Sequence, residues 1–231
     1  MGKKIKIAVI DSGINTQMCN LNKCVIHSIG FGINSEGYIE ENSTLPVRNL
    51  HGTIVSAIIH YICNDVEFIS VNILDENLSS DGRILAYSLS QVFDYNPDII
   101  HMSLGTVNKR YIFPLRKIVK EAKRLNITLV AAADNLHRVS YPAYLKGVIG
   151  VKSDNFDDCM QYSYKNGFFC APAGIDGIQC LQGIPDIQNV SGTSLSAAYI
   201  SGHLAGILKD KNNLSYKEAT EALQKGLLKK E

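Results

Sequence analysis

Val190-Ser191-Gly192-Thr193-Ser194-Leu195-Ser196-Ala197-Ala198-Tyr199-Ile200-Ser201-Gly202 is the stretch from which the rest of the chain is read. Gly192-Thr193 makes a tight turn, Ser194 follows it, and an Ala/Ile-rich run follows Ser194. The order predicts a helix over 193–208 with a hydroxyl at its N-terminus. Backbone N–H groups there lack intrahelical partners, and the helix dipole favours developing negative charge. A serine that attacks a carbonyl and builds an oxyanion needs such a place. Gly-Thr-Ser is also an ordinary helix cap, and the stretch alone leaves both readings open.

Outward from it, strands alternate with helices. Residues 4–10 are β-branched and alternating, a strand ending at Asp11-Ser12-Gly13. Further strands are predicted at 25–29, 37–39, 65–72, 99–104, 127–132, 148–151 and 168–171. Helices are predicted at 51–62, 84–93 and 115–125, and a last one runs from the Ser215/Glu218 capping box to about Leu228. This alternation predicts a three-layer αβα fold with a mostly parallel, doubly wound central sheet. No linker or repeat divides residues 1–231, so a single domain is expected.

In such a sheet, functional groups gather beyond the carboxyl ends of the strands. Asp11, Ser103 and Asn135 stand at strand ends, and His51 opens a helix. Each has an ordinary explanation: a turn cap for Asp11, a satisfied structural histidine for His51, a turn asparagine for Asn135. Together they supply the nucleophile, base, orienting acid and second oxyanion donor of an acyl-transfer site.

The segments Val9-Ile10-Asp11-Ser12-Gly13, His51-Gly52-Thr53 and Ser191-Gly192-Thr193-Ser194 resemble the three catalytic blocks of the subtilisin-like (subtilase) serine proteases, in that family's Asp, His, Ser order. Supporting blocks are Ile99-Ile100-His101-Met102-Ser103-Leu104-Gly105, Val130-Ala131-Ala132-Ala133-Asp134-Asn135, Tyr141-Pro142-Ala143 and Ala171-Pro172. The resemblance implies a subtilisin-like fold and these roles: Ser194 nucleophile, His51 general base, Asp11 orienting acid, Asn135 oxyanion donor. It also implies that Ser103, Leu104 and Gly105 pair with substrate backbone, with Ser79 and Ser80 as the opposite wall and Leu136 beside the pocket for the residue before the cut. Several positions depart from the family. Asp134 replaces the glycine before the oxyanion Asn, Ser140 replaces a pocket-floor Gly, and Ala198-Tyr199 replace Pro-His. With ten residues before Asp11 no folding prodomain is expected, and without a loop rich in oxygen ligands after the His51 helix the family's calcium site is not expected either.

The expected activity is a serine endopeptidase of narrow specificity, such as one that removes a leader from a modified peptide. A catalytically weak relative acting as a peptide-binding or scaffold subunit is the alternative. Glu76 and Asp81 predict a preference for basic side chains upstream of the cut. No metal or cofactor is expected, and a partner chain beyond the substrate is left open. The net charge of +1 gives no reason to expect nucleic acid or a membrane surface as a partner. No apolar run approaches the roughly 18 residues that span a bilayer. No signal peptide precedes residue 5, so a cytoplasmic protein is expected. Six cysteines show no C-x-x-C pair, and all are read as reduced, small apolar side chains.

Overall fold

In the computed structural model, which describes residues 3–42, 45–175, 177–184, 187–211 and 214–227, the β-branched run Ile5–Asp11 forms β1 and is buried at all but one position. A strand that is apolar on both faces has to be covered from both sides. β4, Val66–Asn72, pairs with it in parallel from Ile5↔Val66 to Asp11↔Asn72, and β5, Ile99–Met102, lies parallel on its other edge. The remaining strands are β2 Val25–Ile33, β3 Ile39–Glu41, β6 Thr128–Ala132, β7 Ile149–Ser153, β8 Ser163–Lys165 and β9 Phe168–Ala171. Their order is β3-β2-β4-β1-β5-β6-β7-β9-β8. Among the described residues, only the short outer strands β3 and β8 run antiparallel to their neighbours.

Helices cover both faces. α1 His51–Ile62 and α4 Thr193–Asp210 pack over one, where Ile54, Ile58, Leu195 and Leu204 meet Ile5, Ile7 and Val9. α5, Tyr216–Leu227, packs against α4 through Ala219 and Leu223. α2 Gly82–Gln91 and α3 Ile112–Arg124 cover the other face, setting Leu85, Leu89, Leu115 and Val119 against Ala8 and Ile10. α4 is buried at most of its positions, which makes it an internal helix, whereas α3 buries one stripe and shows lysines and arginines on the other. The doubly wound, mostly parallel sheet expected from the alternation is therefore the one present.

Several boundaries differ from expectation, each for a local reason. α2 starts at Gly82, ahead of the periodic residues, because the Asp81 carboxylate accepts the Arg83 N–H at 2.7 Å. α3 starts at Ile112, ahead of Pro114, because proline in a first turn forfeits no intrahelical bond. β8 was not anticipated; it is a three-residue edge strand. The Ser215/Glu218 box forms, with Ser215 N–H donating to Glu218 Oε2 at 2.8 Å. Leu228, the expected end of α5, lies outside the described residues.

The cysteine expectation is corrected. Cys19 and Cys180 form a disulfide with their Cα atoms 5.2 Å apart. Cys24, Cys63, Cys159 and Cys170 are free. The bridged residues are 161 positions apart, beyond the reach of any local spacing rule. The bridge ties the segment after β1 to the segment that leads into α4.

Candidate active site

β1 lies where the strand order reverses, since the chain fills one side through β2 and β4 before crossing to β5. Crevices beyond the carboxyl ends of strands at such points are where doubly wound sheets place their sites. Asp11 ends β1 and is fully buried. Ser12 N–H donates to its Oδ1 at 2.7 Å, and His51 Nδ1 lies 2.9 Å from both carboxylate oxygens. His51 is the first residue of α1, and its own N–H donates to Asn49 Oδ1 at 2.9 Å. The next residue has to be glycine. A Cβ on Gly52 would stand 2.4 Å from the Gly13 carbonyl oxygen and 3.1 Å from Asp11 Cβ.

Electrostatics follow from this pairing. Burial pushes the Asp11 carboxyl up, but the His51 charge, its hydrogen bond and donors from Ser103 and Ser12 outweigh that and hold the group below its ordinary value. Burial pushes His51 down, and the Asp11 charge and hydrogen bond outweigh that, raising it above 6.5. An ionised Asp11 accepts from Nδ1–H, which fixes the tautomer with Nε2 free to accept a proton.

Ser194 is the second residue of α4, where N–H groups have no intrahelical acceptor. The turn before it depends on Gly192, whose φ of +139° suits glycine alone and whose Cβ would meet Asn135 Oδ1 at 3.1 Å. Gly192 N–H is anchored on the Ala173 carbonyl oxygen at 3.0 Å. Asn135 follows the end of β6. Its Oδ1 accepts Thr193 N–H at 3.0 Å, and the Thr193 hydroxyl donates to the Ala133 carbonyl oxygen at 2.6 Å. Nδ2 has no lone pair to offer Thr193 N–H, so the amide is oriented with its donors away from Thr193. The Ser194 hydroxyl donates to the Ser103 carbonyl oxygen at 2.9 Å and not to His51.

His51, Ser194, Asn135, Ser103, Leu104, Gly105 and Ser140 line one cavity of about 490 Å³. Its opposite wall corrects the expectation. Leu74 and Leu78 line it, while Ser79 and Ser80 line an adjoining cavity that shares Leu74 and also includes Phe31 and Pro46. The Asp75 carboxylate accepts the N–H groups of Asn77 and Ser79, and Leu78 takes φ +57° in that turn, which sends the leucine and not the serines toward the catalytic groups. Leu136 does not line the cavity; it is 71% exposed. Asp134, beside the oxyanion Asn, is committed elsewhere. The Arg138 guanidinium, with the Arg138 and Leu136 N–H groups, holds its carboxyl down at about 2. Asp81 is similarly held at about 2 by Arg83 side-chain and backbone hydrogen bonds, so it is already paired and offers little to a basic side chain.

Residues not anticipated also support the site. Tyr199 OH donates to the Gly174 carbonyl oxygen at 3.0 Å and Ser196 Oγ to that of Pro172 at 2.9 Å, pinning the segment before Ser194 onto α4. His101 is buried in β5 behind Ser103. A lone polar residue in the otherwise apolar run Ile99–Met102 was a signal that could have found it. Among the described residues no helix is long and apolar enough to cross a membrane.

Comparison with known proteins agrees with the geometry. A model of the subtilase family matches residues 2–230. The minor extracellular protease Epr of Bacillus subtilis (strain 168) is 34% identical over 166 residues, covering 67% of this chain and 24% of that protein. The major intracellular serine protease of the same organism is 28% identical over 224 residues, covering 88% and 68%. The chain thus spans about a quarter of the first relative's length and about two thirds of the second's. Among solved structures, Sphericase superposes with TM-score 0.71 at 21% identity, covering 97% of this chain and 83% of that one. A lanthipeptide protease does so with TM-score 0.69 at 19% identity, covering 96% and 79%. These two share the fold.

Proposed function

The chain belongs to the subtilase family, and from that membership we propose that it is a serine endopeptidase. Ser194 Oγ turns from the Ser103 carbonyl to the scissile carbonyl carbon and passes its proton to His51 Nε2. The carbonyl oxygen becomes an oxyanion held by Asn135 Nδ2 and the Ser194 N–H. His51 then gives the proton to the leaving amine, and water repeats the sequence to release the acyl group. Asp11 keeps the imidazole oriented and stabilises its charged form. The observation that carries this reading is His51 Nδ1 at 2.9 Å from both Asp11 oxygens, with Ser194 and Asn135 on the same cavity.

Within this reading the enzyme is narrow, with leader removal from a modified peptide as the task. The apolar wall of Leu74, Leu78 and Leu104 and the floor at Ser140 support selection of particular side chains. The lanthipeptide protease gives the same fold with a peptide-maturation name, and the intracellular relative supports a cytoplasmic setting. The Cys19–Cys180 bridge weighs against that setting, because disulfides persist in oxidising compartments.

A fluorophosphonate probe tests the activity. Labelling of the native chain, lost in Ser194→Ala, is the expected result; a native chain that neither labels nor cleaves a diverse peptide mixture overturns it. The second reading, a peptide-binding subunit with little activity, is favoured by one observation, the Ser194 hydroxyl donating to Ser103 instead of His51. Cleavage profiles by mass spectrometry then give the specificity, with dispersed cuts arguing against a narrow enzyme.

A further inference from the structure

We propose that the outer face of α3 is an exosite for an acidic segment of the substrate, upstream of the residues next to the cut. The inference rests on the protease reading and adds to it a surface outside the catalytic cavity. α3 buries Leu115, Ile118, Val119 and Ala122 and turns the opposite stripe outward: Phe113, Arg116, Lys117, Lys120, Lys123 and Arg124. With Lys109 and Arg110 just before it, the segment holds seven of the chain's 23 lysines and arginines and one of its 22 acidic residues, Glu121. Glu121 is paired with Arg124 at 2.6 Å. Arg116, Lys117, Lys120 and Lys123 pair with no carboxylate among the described residues. The wet face of a surface helix ordinarily mixes both signs, and like charges three or four positions apart weaken the helix. Lys120 has Arg116, Lys117, Lys123 and Arg124 at those spacings. The helix dipole favours Lys123 and Arg124 in the last turn but opposes Lys109 and Arg110 before the first.

Neighbouring elements do not neutralise the stripe. On one side, α2 brings Arg83, paired with Asp81, and the exposed Asp94 beyond its far end. On the other, the loop with Lys146 packs on α3 at Gly147, where a Cβ would meet Val119 Cγ1 at 2.9 Å. A face of one sign, kept at a cost to its own helix, calls for an anionic partner. Its position selects a peptide. Gly105 lines the catalytic cavity, and a Cβ on it would stand 3.8 Å from Ser140 Cβ, at the pocket for the residue before the cut. Gly105 and the residues after it thus lie on the upstream side of Ser194. There Tyr111 packs against Gly82 and donates to Asp81 Oδ1 at 3.3 Å, and Arg110 Nη2 donates to Tyr111 OH at 2.6 Å. From that point the stripe leads away along the 13 residues of α3, about 20 Å, the reach of about six extended residues. The apolar side of α3 is in the core, which leaves Phe113, 67% exposed, as the large apolar group on the face, too little to enter a membrane.

Two substrates test this, identical around the cut and differing in an upstream extension, one of Glu and Asp, the other of Gln and Asn. The acidic extension is expected to lower KM about tenfold with kcat unchanged, and that advantage is expected to vanish at about 0.5 M salt. The triple variant Lys117→Glu, Lys120→Glu, Lys123→Glu is expected to abolish it while cleaving an unextended peptide as the native chain does, with circular dichroism checking the fold. The corresponding triple glutamine variant, which removes repulsion from the helix, is expected to weaken it in the same direction. Fluorescence anisotropy of the labelled acidic extension on Ser194→Ala reads binding without cleavage. A chain inactive toward the probe would therefore sink the protease reading and leave this test standing. Equal KM and equal binding for the two extensions overturn the proposal, as does an acidic preference undiminished by the Lys→Glu changes. Phosphatidylserine vesicles or RNA held through the same lysines, with no preference for the acidic peptide, overturn it too.

Discussion

Asn135 shows how one bond decides a catalytic role. With Oδ1 taken by Thr193 N–H, only Nδ2 is left to donate to an oxyanion. Asn135→Ala is expected to lower kcat by about 10²- to 10³-fold with KM little changed, the magnitude known for the corresponding donor in the family. Steady-state kinetics on one peptide substrate checks both parameters. His51 carries the pH dependence. Catalysis needs its neutral form, and its pKa is raised, so activity is present above that pKa and lost as pH falls through it. The midpoint of the acid limb of kcat/KM is expected above 6.5, the value of an unperturbed imidazole. Asp11, His51, Ser194 and Asn135 were legible in the sequence because each sits in a short block whose turn chemistry is local. The companions of these residues were not. Leu78 faces the cavity because of its positive φ in a turn, and His101 meets Ser201 across 100 residues.

At the scale of elements, the catalytic pair depends on how closely α1 approaches the end of β1. Gly52 is the point of contact, and the obstacle there is the Gly13 carbonyl, which is backbone and cannot swing aside. Gly52→Ala is expected to cost about 1–3 kcal/mol by forcing the two elements apart. Chemical denaturation measures the loss. Labelling of Ser194 by the probe is expected to slow in the same variant, because His51 moves with α1. The alternation of elements was readable, since buried parallel strands and an amphipathic α3 carry strong periodic signals. Boundaries were less so. A cap at Asp81 and a proline in the first turn of α3 each extend a helix past the residues that show its period.

Taken whole, the molecule has two apolar layers on either side of one sheet and a single covalent bridge across 161 positions. Thiol titration of the unfolded, unreduced protein is expected to find four cysteines, Cys24, Cys63, Cys159 and Cys170, and six after reduction. Six without reductant would show that the bridge does not form in the protein as isolated. In the chain-entropy description, a loop of 161 residues is worth up to about 5 kcal/mol, so reduction is expected to lower Tm by several degrees. Differential scanning calorimetry with and without reductant measures that change. None of this was visible in the sequence, because the bridge follows from the tertiary fold and from no local spacing.

The bridge also makes residues 19–180 a closed ring that contains His51 and Asn135, with Asp11 and Ser194 on the two arms outside it. One cut inside the ring, for instance beside the exposed Leu136 or Val139, leaves every part of the chain attached to every other. A sample that had nicked itself once there would run as a full-length band on an unreduced gel and separate into two pieces only in reductant.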